Sequence, residues 1–528
     1  MAGEVRRKQK GESAMSYKIV LQPGELNDAN RDYLPKAIKG SRMVVNENGN
    51  NSQVYPARLT EYVEDILGDG IRDVWYEYVP ESYDSGKKTP LVFSMHGGLM
   101  TGWGQCIYTS WSLVAEKEGF LCVFPNASAN KMWMIECDDE KMDEITTSEK
   151  LAGSGVPALN RPTGSVPEFH DVRLVMKLLE RMREKYNIDE TRVYIQGMSM
   201  GNAMTSQVAR YMGAHFAAAA GSGCPTNCKL LFDSENRLIN AGGPMDIWQS
   251  RLEHDKTPYH YGEDDKTVVQ GNVNYWRRLN GALGLPEISI RGEKNLLLYR
   301  GDKANVMLMD VHNRDHGQTF DDAQMVWDYL FSGVSKTPDG TVRHAATRRA
   351  FRADEHALAL TEDAKQALLN GKPVPLGGKV FRRDKLKYHG LNGGQLVRGS
   401  YLYAPVTFLA KAFGGQALSD GDTAEVRLSD GRLLAFAHGC VGCTIDNIVE
   451  AMVCEAITVD GTLYVPAEWF CAALYDWHVS CYGDTLYAAD HFARLSRYAA
   501  WMISDILLEK EGGQRGMVSV SYTHLRAH

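Results

Sequence analysis

The chain has 528 residues, of which 44% are hydrophobic and 23% are charged, as expected of a globular protein with more than one domain. Its 58 Lys and Arg residues are outnumbered by 66 Asp and Glu residues, and a formal net charge of −8 argues against nucleic acid as a partner. Ten cysteines are too few for a disulfide scaffold, and the sequence predicts no transmembrane segment because it lacks an apolar run of about 18 residues.

Both ends of the chain are predicted to lie outside the folded domains. Residues 1–60 are interpreted as an N-terminal extension, and residues 1–14 lack the apolar stretch of a secretory signal. Residues 511–528 continue no pattern of the helix predicted before them, over residues 492–508, and are interpreted as a non-native or disordered tail.

Short apolar runs alternate with helical patterns between about residues 61 and 335. The apolar runs predict strands that are buried on both faces, which is typical of a parallel sheet. The predicted strands are 76–83, 90–95, 120–124, 193–195, 216–220, 247–251 and 306–310, and the predicted helices are 171–186, 202–212, 272–283 and 321–331. This alternation favours the α/β class, with a mostly parallel sheet covered by helices on both faces.

An acidic segment interrupts this alternation at residues 136–149, which include few apolar side chains. The segment is either a solvated loop or a lid inserted beside the active site, since inserted loops on such sheets often lie near the ligand.

The composition changes after residue 335. Residues 336–359 are rich in Arg, His and Thr and are interpreted as a linker, followed by a smaller α+β domain over residues 360–510. This domain contains an internal repeat, because Leu402–Pro405 is matched 61 positions later by Leu463–Pro466. Each unit predicts a strand, a short helix, a turn and a strand, and duplicated units are expected to share one core.

A candidate nucleophile lies in Gly197-Met198-Ser199-Met200-Gly201, between a predicted strand and a predicted helix. A serine in such a sharp turn is presented at the carboxyl edge of the sheet, with the Met200 N–H aimed at a developing oxyanion. His96-Gly97-Gly98 follows an earlier strand, and the backbone N–H groups of Gly97 and Gly98 are candidate further donors.

Serine requires a base, and the base requires an orienting acid. His316 lies in a loop between the last predicted strand and the last predicted helix of this domain, which favours it as the base over His312. Asp255 follows the predicted strand 247–251 and is the favoured acid, with Asp264 and Asp265 as competitors.

The segment around these residues resembles the family of polyhydroxybutyrate depolymerase-like and feruloyl or acetylxylan esterases. Beyond His96–Gly98, Gly197 and Ser199, the matching residues are Tyr78–Pro80, Tyr83, Pro90–Val92, Trp111, Ala115, Glu118–Phe120, Phe124, Pro125, Asp171, Val172, Tyr186–Asp189 and Arg192–Tyr194. The resemblance implies an α/β-hydrolase fold, a Ser199–Asp255–His316 triad and ester hydrolysis through an acyl-enzyme, without a metal or organic cofactor. The chain departs from the family pattern at Asn202 and Leu252, where glycines are usual.

The substrate expected from this resemblance is a feruloyl or acetyl ester on plant polysaccharide. A polyester depolymerase, a small-ester esterase or a non-catalytic surface-binding protein are the alternatives. Trp103 and Trp133 are predicted to bind substrate, although large aromatic side chains also commonly fill cores. The family favours an extracellular or cell-surface location, whereas the absence of a signal pattern leaves a cytoplasmic one open.

The repeat domain resembles the copper amine oxidase N-terminal-like, or stalk, domain of Gram-positive surface proteins. The resemblance rests on Leu463–Pro466, Trp469, Phe470, Leu474 and Asp484–Tyr487. It implies a structural or adhesive role, such as attachment to a cell wall, and no copper.

The cysteines suggest two further sites, neither of which is favoured. Cys440 and Cys443 lack the second ligand pair of a zinc site, so no metal is predicted. Cys224 and Cys228 could form a disulfide in an exported protein, but buried free thiols are the default interpretation.

Overall fold

The computed structural model describes residues 43–45, 52–54, 56–147, 158–389 and 394–509. The predicted tail, most of the predicted N-terminal extension and the end of the acidic segment lie outside these ranges. Two short strands, β1 (Met43–Val45) and β2 (Ser52–Val54), form an antiparallel pair. Within the described residues, none of the helices combines the length and apolar character needed to cross a membrane.

A ten-stranded sheet forms the centre of the first half of the chain. Its strands β3 to β12 are, in chain order, Leu59–Glu64, Asp73–Tyr78, Thr89–Met95, Leu121–Pro125, Ile188–Met198, Ala218–Ser222, Asp246–Leu252, Glu287–Arg291, Lys294–Tyr299 and Val306–Val311. They lie side by side in the order β10-β11-β12-β9-β8-β7-β5-β6-β4-β3. The six central strands, from β12 to β6, run parallel, and the strands at both edges are antiparallel.

Helices cover both faces of this sheet. Helices α1 to α8 are Gly102–Tyr108, Trp111–Glu118, Met142–Thr146, His170–Lys185, Met200–Met212, Cys228–Leu231, Asp265–Asn280 and Asp322–Tyr329. Alternate residues of β5 enter opposite cores: Leu91 and Phe93 pack with α4, α5 and α7, whereas Val92 packs with α1, α2 and α8. Because both faces are buried, the strand is mainly apolar, with Thr89 and Ser94 as its polar residues. The α/β-hydrolase fold expected from the sequence is thus confirmed.

Several elements of this domain differ from the sequence prediction: strand β4 ends at Tyr78 rather than at residue 83, and helices α1 and α2 were not predicted. Helix α7 begins at Asp265 rather than at residue 272, because the Asp264 side chain accepts a hydrogen bond from the Thr267 N–H and caps the helix. The first turns are polar and carry little apolar periodicity. The antiparallel hairpin of β10 and β11, which extends the sheet, was not predicted.

The segment predicted as a linker lies against the sheet domain. A hairpin of β13 (Val334–Lys336) and β14 (Val342–His344) occupies its start. The Lys336 ammonium donates to the Gly213 carbonyl oxygen at 2.7 Å, and the His344 ring lies 2.8 Å from the Asp246 carboxylate. These contacts, the first buried and the second partly buried, tie the segment to the first domain.

The rest of the chain is rich in antiparallel strands. Strands β15 to β28 are Ala357–Thr361, Gln366–Leu369, Lys372–Pro375, Phe381–His389, Gly394–Pro405, Gln416–Ser419, Thr423–Arg427, Leu433–Ala437, Gly442–Ile445, Ile448–Ala451, Ile457–Val459, Thr462–Pro466, His478–Tyr482 and Thr485–Ala489, with helices α9 (Val406–Ala412), α10 (Ala467–Tyr475) and α11 (Arg497–Leu507). The two repeat units form β19-α9-β20-β21 and β26-α10-β27-β28, so each has the predicted strand and helix but a hairpin of two strands in place of the single final strand. Strands β19 and β26 pair directly, so the units share a sheet and a core.

Helix α11 joins this region to the sheet domain. It packs against β15, β16 and β28 on one side and against β11, β12 and α7 on the other. The helix begins at Arg497 rather than at residue 492, because the preceding residues pair with the sheet edge: the Gly292 N–H donates to Phe492 O, and the Arg494 N–H donates to Gly292 O. The C-terminal helix therefore lies within a core that both regions share.

Truncation of a buried α11 side chain should destabilise the whole protein. Ile503 is fully buried in this shared core, so Ile503→Ala should lower the free energy of unfolding by about 2–5 kcal/mol, measured by urea denaturation. Leu418→Ala is the control, because Leu418 is 78% exposed and its truncation should change stability by no more than about 0.5 kcal/mol. Equal effects of the two substitutions would contradict the shared core.

Candidate active site

Ser199 occupies a sharp turn between β7 and α5. Its backbone φ is 56° and its ψ is −123°, a strained conformation for a residue with a side chain. The Ser199 N–H donates to Ser222 O at 2.8 Å, which ties the turn to the end of the neighbouring strand β8. The turn presents a half-buried side chain at the carboxyl edge of the sheet.

Glycines make this turn possible. A Cβ atom on Gly197 would lie 2.1 Å from Gly201 O, and one on Gly201 would lie 2.2 Å from Met95 O. Neither space admits a methyl group, so strand β7, helix α5 and strand β5 approach each other only because both positions are glycine.

The register of the parallel strands brings five loops together at this edge. Met95 pairs with Gly197, Met198 pairs with Ser222, and Ser222 pairs with Ser250. Strand β12 pairs in turn with β9, opposite Leu252. The segments that follow these strand ends carry the predicted oxyanion loop, nucleophile, acid and base, although they are far apart in the chain.

The structure brings Ser199, His316 and Asp255 into one hydrogen-bond chain. His316 Nε2 lies 2.8 Å from Ser199 Oγ, and His316 Nδ1 lies 2.9 Å from Asp255 Oδ1. With Nδ1–H donating to the carboxylate, Nε2 accepts from the serine hydroxyl. The hydrogen bond to Asp255 raises the pKa of His316 against the opposing effect of burial. Such an arrangement can deprotonate a hydroxyl as it attacks an electrophilic carbon.

Backbone contacts fix the loop of the base. The Ser222 hydroxyl donates to Gly317 O at 2.6 Å, and the Gln318 N–H donates to the Tyr108 hydroxyl oxygen at 2.7 Å. The two residues that follow His316 are thus held by the end of strand β8 and by the end of helix α1, which limits movement of the imidazole.

The rival candidates make other contacts. His312 Nδ1 lies 2.9 Å from a Glu253 carboxylate oxygen. Asp264 caps α7, and Asp265 accepts from the Thr257 N–H at 2.7 Å and pairs with Arg497 at 3.2 Å. The observed geometry therefore favours His316 and Asp255 over these alternatives.

The loop of the predicted oxyanion donors packs against both sides of the nucleophile turn. A Cβ on Gly97 would lie 2.9 Å from Met198 Cε, and one on Gly98 would lie 3.1 Å from Met200 Sδ. Met200 is the first residue of α5, where backbone N–H groups have no partner inside the helix. Three candidate N–H donors thus lie on segments in contact beside Ser199.

His96 supports this loop, and its two hydrogen bonds fix the tautomer of its imidazole ring. The Ala127 N–H donates to His96 Nε2 at 2.9 Å, so Nδ1 carries the proton and donates to Gly97 O at 2.7 Å. Complete burial lowers the pKa of His96 to about 4, which keeps the ring neutral. We therefore interpret His96 as a support for the loop rather than as a base, a role that the sequence alone did not indicate.

Asn202, the first departure from the family pattern, ties α5 to the turn behind the triad. Its Nδ2 donates to Gly223 O at 2.6 Å and to Cys224 O at 3.1 Å. Gly223 lies directly behind the triad, since a Cβ there would be 3.2 Å from His316 Cε1. Leu252, the second departure, is buried at the end of β9, and its carbonyl oxygen accepts from the Asp255 N–H at 2.9 Å.

The predicted substrate-binding tryptophans are core residues. Trp103 is 1% exposed and Trp133 is fully buried, with its indole N–H donating to His96 O at 2.7 Å. Neither side chain is open to a ligand, so the expectation for these two residues is corrected. The identity of a residue as tryptophan gave no information about its exposure.

A groove of about 1220 Å³ opens beside the imidazole. His316, Tyr108 and Arg314 contribute to its wall, together with two partly exposed aromatic side chains, Phe320 from the base loop and Phe492 from the C-terminal region. The groove is larger than the volume of about 300–1,000 Å³ typical of small-molecule sites.

The described part of the acidic segment forms ion pairs with basic side chains. Glu136 forms an ion pair with Arg210 of α5, while Asp138 and Glu140 lie 3.0 and 2.6 Å from the Lys229 ammonium of α6. These residues are held against the helices, which differs from a freely solvated loop.

The two cysteines near the site are free thiols. Cys224 Sγ lies 3.8 Å from the Tyr261 hydroxyl, and burial raises the pKa of the Cys224 thiol to about 11. Cys228 lies in α6, where burial likewise raises its pKa. Cys228 is buried, as the default interpretation expects, whereas Cys224 is only partly buried.

Two curated proteins are distantly similar to parts of this chain. A stretch of 154 residues is 28% identical to a bifunctional acetylxylan esterase/xylanase from Neocallimastix patriciarum, covering 28% of this chain and 18% of that protein. A stretch of 175 residues is 25% identical to feruloyl esterase B from Piromyces equi, covering 30% of this chain and 31% of that protein. The chain thus spans less than a third of either relative, and no family model matches it.

Solved structures of esterases are similar over about half of the chain. An acetyl xylan esterase from Aspergillus awamori matches 52% of this chain and 99% of its own, at 16% identity and a TM-score of 0.35. A ferulic acid esterase from Anaeromyces mucronatus matches 51% of this chain and 86% of its own, at 18% identity and a TM-score of 0.30.

The choice between Asp255 and Asp264 can be tested through the reactivity of Ser199. Asp255→Asn should slow labelling of Ser199 by a fluorophosphonate by about 10²- to 10⁴-fold, the range of general-base catalysis, because the imidazole loses its orienting carboxylate. Asp264→Asn is the matched control and should label at the wild-type rate, since asparagine also caps helices well. Slow labelling of Asp264→Asn together with wild-type labelling of Asp255→Asn would contradict the assignment of Asp255 as the acid.

Proposed function

We propose that the protein is a serine carboxylic-ester hydrolase in which Ser199 is the nucleophile, His316 the general base and Asp255 the orienting acid. The observation that carries the proposal is the hydrogen-bond chain from Ser199 Oγ through the His316 ring to Asp255 Oδ1, with distances of 2.8 and 2.9 Å. The distant similarity to an acetylxylan esterase/xylanase and a feruloyl esterase supports the reaction class.

In the first half of the reaction, Ser199 Oγ attacks the ester carbonyl carbon while its proton passes to His316 Nε2. Asp255 accepts from Nδ1–H and stabilises the imidazolium that forms. The oxyanion accepts hydrogen bonds from the Met200 N–H and from N–H groups of Gly97 and Gly98, each worth about 3–4 kcal/mol in the transition state. Collapse of the tetrahedral intermediate expels the alcohol, which takes the proton from Nε2.

In the second half, water attacks the acyl carbonyl carbon and gives a proton to His316 Nε2. The second tetrahedral intermediate uses the same N–H donors. Its collapse breaks the bond to Ser199 Oγ, which regains the proton, and the carboxylic acid leaves. Every proton is moved by His316, so none of these steps calls on a metal or organic cofactor.

We further propose that the ester lies on a plant polysaccharide, with a feruloyl or acetyl group as the acyl part. His316 protonates the leaving alcohol, so the alcohol must lie beside the imidazole, where the groove of about 1220 Å³ begins. A groove of this size, with Phe320 and Phe492 partly exposed in its wall, supports an alcohol that is part of a polymer.

For the C-terminal region we keep attachment to a cell wall at the cell surface as a proposed role, on the strength of the repeat resemblance. The sheet of β20 to β24 supports it, because its outer side carries exposed apolar side chains: Leu418, Leu433 and Val449 are 78%, 49% and 77% exposed. Such exposed apolar surface is more often used for contact with a partner than left bare.

Removal of the nucleophile tests the proposal. Ser199→Ala should lower kcat for p-nitrophenyl acetate by at least about 10³-fold without changing the thermal unfolding midpoint, because only the hydroxyl is lost. The wild type should also release acetate from acetylated xylan or ferulate from methyl ferulate faster than it degrades polyhydroxybutyrate. Equal rates for wild type and Ser199→Ala would refute the proposed esterase activity. Faster degradation of polyhydroxybutyrate would refute the proposed polysaccharide substrate.

A further inference from the structure

The last helix of the C-terminal region contacts the loop that carries the proposed acid. Arg497 Nη2 donates to the Asp255 carbonyl oxygen at 2.6 Å, and the Tyr498 hydroxyl donates to the same oxygen at 3.2 Å. Arg497 has 15% of its side chain exposed, and Tyr498 is 2% exposed. Two largely buried donors from a distant part of the chain therefore converge on the backbone of Asp255.

The same guanidinium also contacts Asp265, which holds a second point of this loop. Arg497 Nη1 lies 3.2 Å from Asp265 Oδ2, and Asp265 Oδ1 accepts from the Thr257 N–H at 2.7 Å. Arg497 thus bridges residue 255 directly and residue 257 through Asp265. A planar guanidinium suits this task because its N–H groups point in fixed directions, which an ammonium cannot reproduce.

The start of the helix is itself held by the central sheet. Asp310, at the end of β12, accepts from the Tyr498 N–H at 2.7 Å and from the Ala499 N–H at 3.1 Å, and so replaces the usual helix-capping side chain. Asn295 of β11 accepts from the Ser496 N–H at 3.0 Å. Because its helix is fixed on β12, which leads into the base loop, and on the neighbouring strand β11, Arg497 can transmit a defined position to Asp255.

We propose that Arg497 is a positioning residue for Asp255, so that the C-terminal helix forms part of the catalytic unit. The proposal rests on the proposed function, because it matters to activity only if Asp255 orients His316. Asp255, Asp265, Tyr498 and Tyr482 are titratable groups that face or adjoin the Arg497 guanidinium. The positive charge is paired with Asp265, so its main effect on the triad is geometric.

The test compares variants of the full chain. Arg497→Ala should lower kcat for p-nitrophenyl acetate by about 10- to 100-fold with little change in KM, as expected when a catalytic group loses its exact position. The hydrogen bond that His316 donates to Asp255 raises the pKa of His316 above its ordinary value of 6.5, so the wild-type kcat/KM should fall with decreasing pH from above that value. Weakening of the bond in Arg497→Ala should move this fall to lower pH.

Two further variants separate positioning from folding. Arg497→Lys keeps the charge and one donor and should recover part of the kcat and of the pH shift. Asp505→Asn is the matched control on the same helix: it weakens the contact of 2.9 Å between Lys266 and Asp505, does not touch Asp255 and should leave kcat and the pH profile unchanged. Tm measured for each variant shows how much of any loss comes from unfolding.

The proposal is overturned if Arg497→Ala keeps wild-type kcat, if its pH profile stays in place or moves to higher pH, or if Asp505→Asn loses as much activity. Failure of the proposed function itself would look different, since the wild type would then hydrolyse no ester faster than Ser199→Ala. In that case the rate of fluorophosphonate labelling of Ser199 replaces kcat, and Arg497→Ala must still slow the labelling for the positioning role to stand.

Discussion

The hydrogen bond between Ser199 Oγ and His316 Nε2, 2.8 Å long, is the contact on which the proposed chemistry depends. A serine hydroxyl alone is a weak nucleophile, and an imidazole acts as its base only when held in one tautomer and one orientation. Both requirements are met by loops that leave adjacent parallel strands at the same edge. The glycines at 197 and 201 allow strand and helix to approach closely enough to expose the serine there.

The support for that contact extends beyond the sheet domain. Ser222 and Tyr108 hold the base loop, Asn202 holds the turn behind the imidazole, and Arg497 holds the acid loop from the other end of the chain. Helix α11 shares a core with both regions, so the C-terminal region is more than an attached module. The sheet of β20 to β24 belongs to a separate core that contains no residue of α11, so it can serve a separate role.

Much of the fold and the proposed triad could be predicted from the sequence, because continuous apolar strands and a serine between glycines follow from local physical rules. Asp255 could not be separated from Asp264 and Asp265, since all three follow the same strand and only the folded chain shows which one faces the imidazole. Trp103 and Trp133 were misassigned because residue type does not report exposure. The role of Arg497 depends on a contact across 242 positions, for which no local pattern exists.

The most direct test of the central claim is to trap the covalent intermediate. Rapid acid quenching of the wild type with p-nitrophenyl acetate, followed by mass spectrometry of its peptides, should find one acetyl group on Ser199, formed during a burst of about one equivalent of p-nitrophenol. Steady hydrolysis with Ser199 unmodified at every quench time, or with the acetyl group on another residue, would contradict the account.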